Sequence, residues 1–137
     1  MRFIKVTLSV CLFSLLMFSC TKQSEVNSVI IKGLTALYKG QFKEASAYIT
    51  PGSYPVIGFI QAVTPKAKIE MMHKADVKVE VLETDILPGD SVANVKVEIE
   101  NYVDGTMENP VLTNKAKSEM FVLQKVNGKW LINIQSK

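Results

Sequence analysis

Arginine is almost absent from this 137-residue chain, Arg2 being the only one. No guanidinium is therefore available further along for bidentate recognition of phosphate or carboxylate. Cysteine is nearly as scarce. Cys11 and Cys20 are the only two, which excludes a disulfide-dense mini-protein and a multi-thiolate metal centre. His73 is the sole histidine, so a zinc site of the His-x-x-x-His kind cannot be built. There is no glycine-rich phosphate loop, no Ser/His/Asp ordering and no cluster of carboxylates at metal-ligand spacing. Seven glycines and five prolines are too few for a collagen-like or low-complexity chain. What remains, 47% hydrophobic and 21% charged residues, is the material of one ordinary domain.

The first twenty residues read as an export signal. Arg2 and Lys5 make a basic start, Val6 to Phe18 is almost unbroken apolar sequence, and Thr21-Lys22-Gln23-Ser24-Glu25 turns abruptly polar. The apolar run falls short of the roughly 20 residues that a spanning helix needs. Cleavage is the expected fate. Its end, Leu15-Leu16-Met17-Phe18-Ser19-Cys20, resembles a bacterial lipobox of the looser Bacteroidetes type, in which a small residue precedes a cysteine that is acylated and becomes the first residue. The expected divisions are a signal peptide over 1–19, lipidated Cys20 with a short linker over 20–25, and a single domain over 26–137. Loss of the leader removes Arg2 and Lys5, leaving 14 basic against 13 acidic side chains. The formal charge of +3 is thus mostly a property of the leader, and nucleic acid is not an expected partner.

From Val26 the apolar positions Val29, Ile30, Leu34, Leu37 and Tyr38 follow helical spacing, with Ser24 read as the N-cap. Lys39-Gly40-Gln41 interrupts. Phe42, Ala45, Tyr48 and Ile49 predict a second helix, ended by Thr50-Pro51-Gly52, and a third runs from Pro55 or Val56 to Val63. After His73 the period changes to two. Val77, Val79 and Val81, then Ala93, Val95, Val97 and Ile99, predict two strands joined by the Leu87-Pro88-Gly89-Asp90 turn. Asp104-Gly105 and Asn109-Pro110 punctuate the path to a third strand ending at Val126, and Trp130 to Ile134 makes a fourth. Asn127-Gly128 fixes a two-residue hairpin in which paired positions sum to 255. Leu123 then faces Ile132 and Lys125 faces Trp130 on the core side, leaving Val122 and Leu131 on the other. The expected fold class is α+β, with N-terminal helices packed on one face of a curved four-stranded antiparallel sheet.

The helical pair joined at Leu37-Tyr38-Lys39-Gly40-Gln41-Phe42, with the terminal hairpin Val126-Asn127-Gly128-Lys129-Trp130-Leu131-Ile132, resembles the nuclear-transport-factor-two-like (NTF2-like, cystatin-like) superfamily. More narrowly it resembles small lipoproteins carrying a domain of unknown function related to lumazine-binding-like proteins. The resemblance implies a cone in which the bent sheet and helices enclose a pocket, used by some members for isomerase, dehydratase or cyclase chemistry and by others for no known activity.

No catalytic constellation is present in the sequence. His73, beside Lys74 and Asp76, reads as a solvated loop residue, and Asp85 and Asp90 as caps of their own turn. Lys66, Lys68 and Lys74 read as a solvated face. The expectation is a non-catalytic lipoprotein domain without cofactor or metal, anchored through Cys20 at the periplasmic face of the outer membrane. It would bind a small apolar ligand or an envelope protein, with Tyr38, Tyr54, Phe59, Met72 and His73 as candidate ligand contacts. Two alternatives stand beside it, an isomerase or dehydratase of the same fold, and a homodimer through the sheet surface bearing Val122 and Leu131.

Overall fold

The computed structural model describes residues 21–134. The expected signal peptide and Cys20 lie outside the described residues. Helix α1 covers residues 21–38, so Ser24 lies inside it, and the stretch read as a linker, 21–25, is helical. A left-handed glycine stops it: at Gly40 (φ 71°) the amide donates to the Leu37 carbonyl and that of Gln41 to the Ala36 carbonyl, a Schellman closure. Helix α2 (Phe42–Ser46) is shorter than its spacing suggests. Tyr48 to Thr50 leave the helix because they pair with a strand instead: the Ile132 amide donates to the Tyr48 carbonyl (2.8 Å) and the Thr50 amide to the Ile132 carbonyl (2.9 Å). Thr50-Pro51-Gly52 follows the end of α2 rather than forming it. A 3-10 turn, Pro51–Ser53, runs directly into α3 (Tyr54–Val63), and α4 (Lys66–Lys74) follows. The apolar spacing does not announce that last helix. None of its residues is fully buried, so charge obscures the pattern, and His73 belongs to its last turn rather than to a loop.

The main sheet has the order β1-β2-β5-β6, all antiparallel, formed by β1 (Lys78–Ile86), β2 (Val92–Glu100), β5 (Lys117–Val126) and β6 (Lys129–Asn133). A separate two-stranded ribbon, β3 (Val103–Gly105) and β4 (Pro110–Leu112), stands between β2 and β5. The β5–β6 register follows the expected rule at every pair, from Val126 opposite Lys129 to Val122 opposite Asn133. A bulge at Leu82, between Val81 and Glu83, shifts the alternation by one. Val79 and Val81 lie opposite Ile99 and Val97, and after the bulge Thr84 and Ile86 lie opposite Val95 and Ala93. Such an extra residue also bends the strand, which lets the sheet curl around helices.

The core forms between α1 and the inner face of this sheet. Val26, Ile30 and Leu34 of α1 meet Ala93, Val95, Val97 and Ile99 of β2, Leu123 of β5 and Ile132 of β6, all fully buried. The outer edge of β6 is closed by residues 48–50, so no long unpaired strand is presented there. A buried polar knot pins this closure: the Thr50 and Ser53 hydroxyls lie 2.8 Å apart, Ser53 Oγ donates to Asn133 Oδ1 (3.3 Å), and the Ile134 amide donates to Ser53 Oγ (2.9 Å). Helices followed by a curved four-stranded antiparallel sheet are thus the observed architecture, of the α+β class.

Candidate functional site

A buried apolar cluster lies between α1 and the sheet. Open space occurs where the start of α1 passes the tip of the β5–β6 hairpin. One exposed face of α1 contributes Thr21, Ser24, Glu25, Ser28 and Val29, positions that recur at helical spacing. The opposite wall is Gly128 to Leu131, and Ala47 and Tyr48 form the floor between them. The cleft measures about 840 Å³, the size of a small-molecule site. Its walls are apolar where Val29, Tyr48, Trp130 and Leu131 meet, and polar where Ser24, Glu25, Ser28 and Lys129 stand. Such a surface fits an apolar body with a polar end.

Local contacts hold this cleft in shape. Lys22 Nζ reaches Asp90 Oδ2 at 2.6 Å, and Thr84 Oγ1 donates to Asn27 Oδ1 at 2.6 Å, fixing the start of α1 over the β1–β2 hairpin. The Lys22 ammonium holds the exposed Asp90 carboxyl below its usual range. Trp130 is nearly fully buried, its Nε1 finds no acceptor, and Lys125 Nζ lies 5.6 Å from its ring centroid. A buried donor left unpaired is costly. Trp130 is thus a buried wall of the cleft whose Nε1 donor is unpaired.

None of the five residues expected to contact a ligand lines this cleft. Tyr38 sits at the other end of α1, its ring 5.9 Å from that of Tyr102 in an edge-to-face pair. Lys117 Nζ lies over both rings, 4.8 Å and 4.6 Å from their centroids, and 3.1 Å from Glu119 Oε1. This is an aromatic cradle filled by the protein's own cation. Met72 and His73 pack around Gly40, and Tyr54 and Phe59 lie exposed on α3. The structure therefore brings Met72 and His73 together and leaves Tyr38, Tyr54 and Phe59 apart. The cleft is hard to find by residue type, because serines and a glycine supply much of its lining. The helical recurrence of Thr21, Ser24, Glu25 and Ser28 opposite an Asn-Gly hairpin is the signal that points to it.

The Tyr38–Lys117 pair has a pH signature. Burial raises the Tyr38 hydroxyl above the ordinary 10.0, more than the Lys117 charge lowers it. Burial alone would lower Lys117, but the Tyr38 hydroxyl and the Glu119 carboxylate outweigh it and raise the ammonium above 10.5. Both folded values exceed the unfolded ones, so both groups contribute stability that is intact at neutral pH and is lost as pH rises through the folded values. Urea midpoints are expected to fall as pH rises above about 10, and to fall less in Tyr38→Phe. An equal fall in the two proteins would show that Tyr38 carries none of the linkage.

Among the described residues no group of three His, Cys, Asp or Glu is placed to hold a metal, and no helix is long and apolar enough to cross a membrane. No family model matches the chain, and no curated protein is matched by it. The fold is NTF2-like. A solved structure from Campylobacter jejuni, described as an NTF2-like transpeptidase, superposes with a TM-score of 0.55 at 18% identity, over 79% of this chain and 96% of that one. At that identity the likeness concerns the fold, and function must be argued from the site.

Proposed function

We propose that this protein is a non-catalytic binding module of the bacterial cell envelope, acylated at Cys20, that holds a small apolar ligand in the cleft between α1 and the β5–β6 hairpin. The observation that carries this reading is the cleft itself, with apolar walls, a polar rim and the volume of a small-molecule site. Its lining begins at Thr21, the residue after Cys20, so a ligand would be taken close to the membrane surface. The periplasmic face of the outer membrane is the proposed location.

An isomerase, a dehydratase or a transfer enzyme would need a reacting group at such a site. His73, Asp85 and Asp90 are each exposed and away from the cone's interior. Both cysteines precede the described residues, and Ser53 is buried and engaged by Thr50, Asn133 and Ile134. The described residues thus favour binding over turnover. The homodimer reading has its own support in Met120 and Val122, which stand exposed on the outer face of β5.

Native mass spectrometry of the protein purified gently from its own envelope tests the proposal. The expected result is an added mass that is lost on denaturation and is absent from Ser28→Trp, an exposed helix position where an indole fills the cleft without touching the core. A clean monomer of wild type would remove the ligand. A concentration-dependent dimer abolished by Leu131→Lys would install the sheet interface in its place. Acyl labelling that persists in Cys20→Ser would refute the anchor separately.

A further inference from the structure

Helix α3 contains no charged residue, and the neutral run around it extends from Ala45 to Pro65, between Glu44 and Lys66. A helix that is apolar on every side ordinarily lies in a core. This one does not. Ile57 is its only buried residue, Val56 and Ile60 are half-buried, and the other seven of its ten residues are exposed. Phe59 is 67% exposed, Tyr54 47% and Val63 41%. At about 100° per residue, Pro55, Gly58, Phe59 and Ala62 lie on the side facing away from Val56, Ile57 and Ile60, with Tyr54 and Val63 at its two margins. The solvent side of α3 therefore carries a continuous apolar stripe with Gln61 at its margin.

Lysines follow that stripe along the chain. Pro65 turns the chain into α4, whose first turn carries exposed Lys66 and partly exposed Lys68, with Lys74 exposed at its end and Glu70 the only acid among them. Long lysine stems can lie along apolar surface while their ammonium groups reach outward.

We propose that this face of α3 docks into the interfacial layer of an anionic phospholipid bilayer. Phe59 and Val63 enter among the acyl chains, Tyr54 sits at headgroup depth, and Lys66 and Lys68 meet lipid phosphates. The chemistry of the patch selects a bilayer over a protein. Protein interfaces combine an apolar centre with directional hydrogen bonds and are depleted in lysine. Here the exposed face offers one side-chain amide, from Gln61, and the chain runs from it directly into Lys66 and Lys68. Apolar area flanked by basic side chains is what an anionic membrane surface binds. The inference does not depend on the cleft or on acylation.

The test uses Phe59→Trp in the full chain, reconstituted with vesicles of phosphatidylethanolamine and phosphatidylglycerol whose acyl chains are brominated. The only native tryptophan, Trp130, is 4% exposed, so wild-type emission serves as the blank. The expected result is emission from position 59 that is blue-shifted and quenched by bromine. Adding Lys66→Gln and Lys68→Gln should weaken that quenching about fivefold or more. Water-like emission from position 59 overturns the proposal. So does emission that is shielded without bromine quenching, which would assign the face to a protein contact. Unchanged quenching in the lysine variants overturns the role of anionic lipid.

Discussion

Leu123→Lys abolishes the folded state, whereas Val122→Lys, one residue earlier on the same strand, leaves it standing. That is the expected outcome of the β5–β6 register. Leu123 is 0% exposed, opposite Ile132 on one side and Ala93 on the other, with the fully buried side chains of α1 above it. An ammonium there would have no counter-ion and no water, and its desolvation costs several kcal/mol even after relaxation. Removal of the leucine adds the loss of a core side chain, about 3 kcal/mol. The sum is comparable to the roughly 5–15 kcal/mol that holds a domain of this size together. Val122 points to the other face, is 36% exposed, and should tolerate the same change within about 1 kcal/mol. Circular dichroism and urea unfolding of the two variants decide it. Comparable destabilisation of both would mean that neither face of β5 is open.

The contrast between those two neighbours is legible in the amino-acid sequence alone, and the reason is local. An Asn-Gly pair leaves a hairpin little choice of loop, and with a period of two a fixed loop fixes the face of every side chain. Gly128 and Asn127 indeed both take positive φ. The break at Gly40 is legible for a similar local reason, a glycine at the left-handed closure of a helix. Long-range terms decide what local pattern leaves hidden. Tyr48 and Ile49 fit a helical pattern, but the edge of β6 draws them into pairing, and a hydrogen-bonded edge outweighs one further helical turn. Helix α4 is hidden because it buries no residue completely, so periodicity has little apolar contrast to report. The cleft is only partly legible: the recurrence of small polar residues along α1 marks one wall, but how closely α1 lies against β6 is a packing distance that no local pattern encodes. Composition draws attention to Tyr38, Tyr54 and Phe59. Aromatic residues serve three different purposes here: a cradle for Lys117, an exposed stripe and, in Trp130, a wall of the cleft.

The same substitution, glycine to alanine inside a helix, is expected to have opposite signs in α1 and α3. Alanine is favoured over glycine in a helix interior by up to about 1 kcal/mol. At Gly58 nothing lies within 4 Å of where the new carbon would stand, so Gly58→Ala should raise stability by roughly that amount. At Gly33 the carbon would stand 2.6 Å from Ile132 Cδ1 and 2.9 Å from Tyr48 Cβ. Ile132 Cδ1 is the end of a side chain and can turn aside. Tyr48 Cβ is not. It moves only with its backbone, and that backbone accepts a hydrogen bond from the Ile132 amide that helps close the sheet. Relief of the clash therefore means lifting α1 from β6 or loosening the pairing, which for an overpacked core costs typically 1–3 kcal/mol. Two close contacts put the cost toward the upper end of that range, above the helical gain, and Gly33→Ala should destabilise the protein by a net of up to about 2 kcal/mol. Urea midpoints of the two variants, measured side by side, test the sign directly. Stabilisation by Gly33→Ala would mean that α1 does not approach β6 this closely. Because Tyr48 is also the floor of the cleft, any shift that accommodates the new methyl group reaches the proposed binding site as well, so this variant should lose ligand along with stability while Gly58→Ala keeps both.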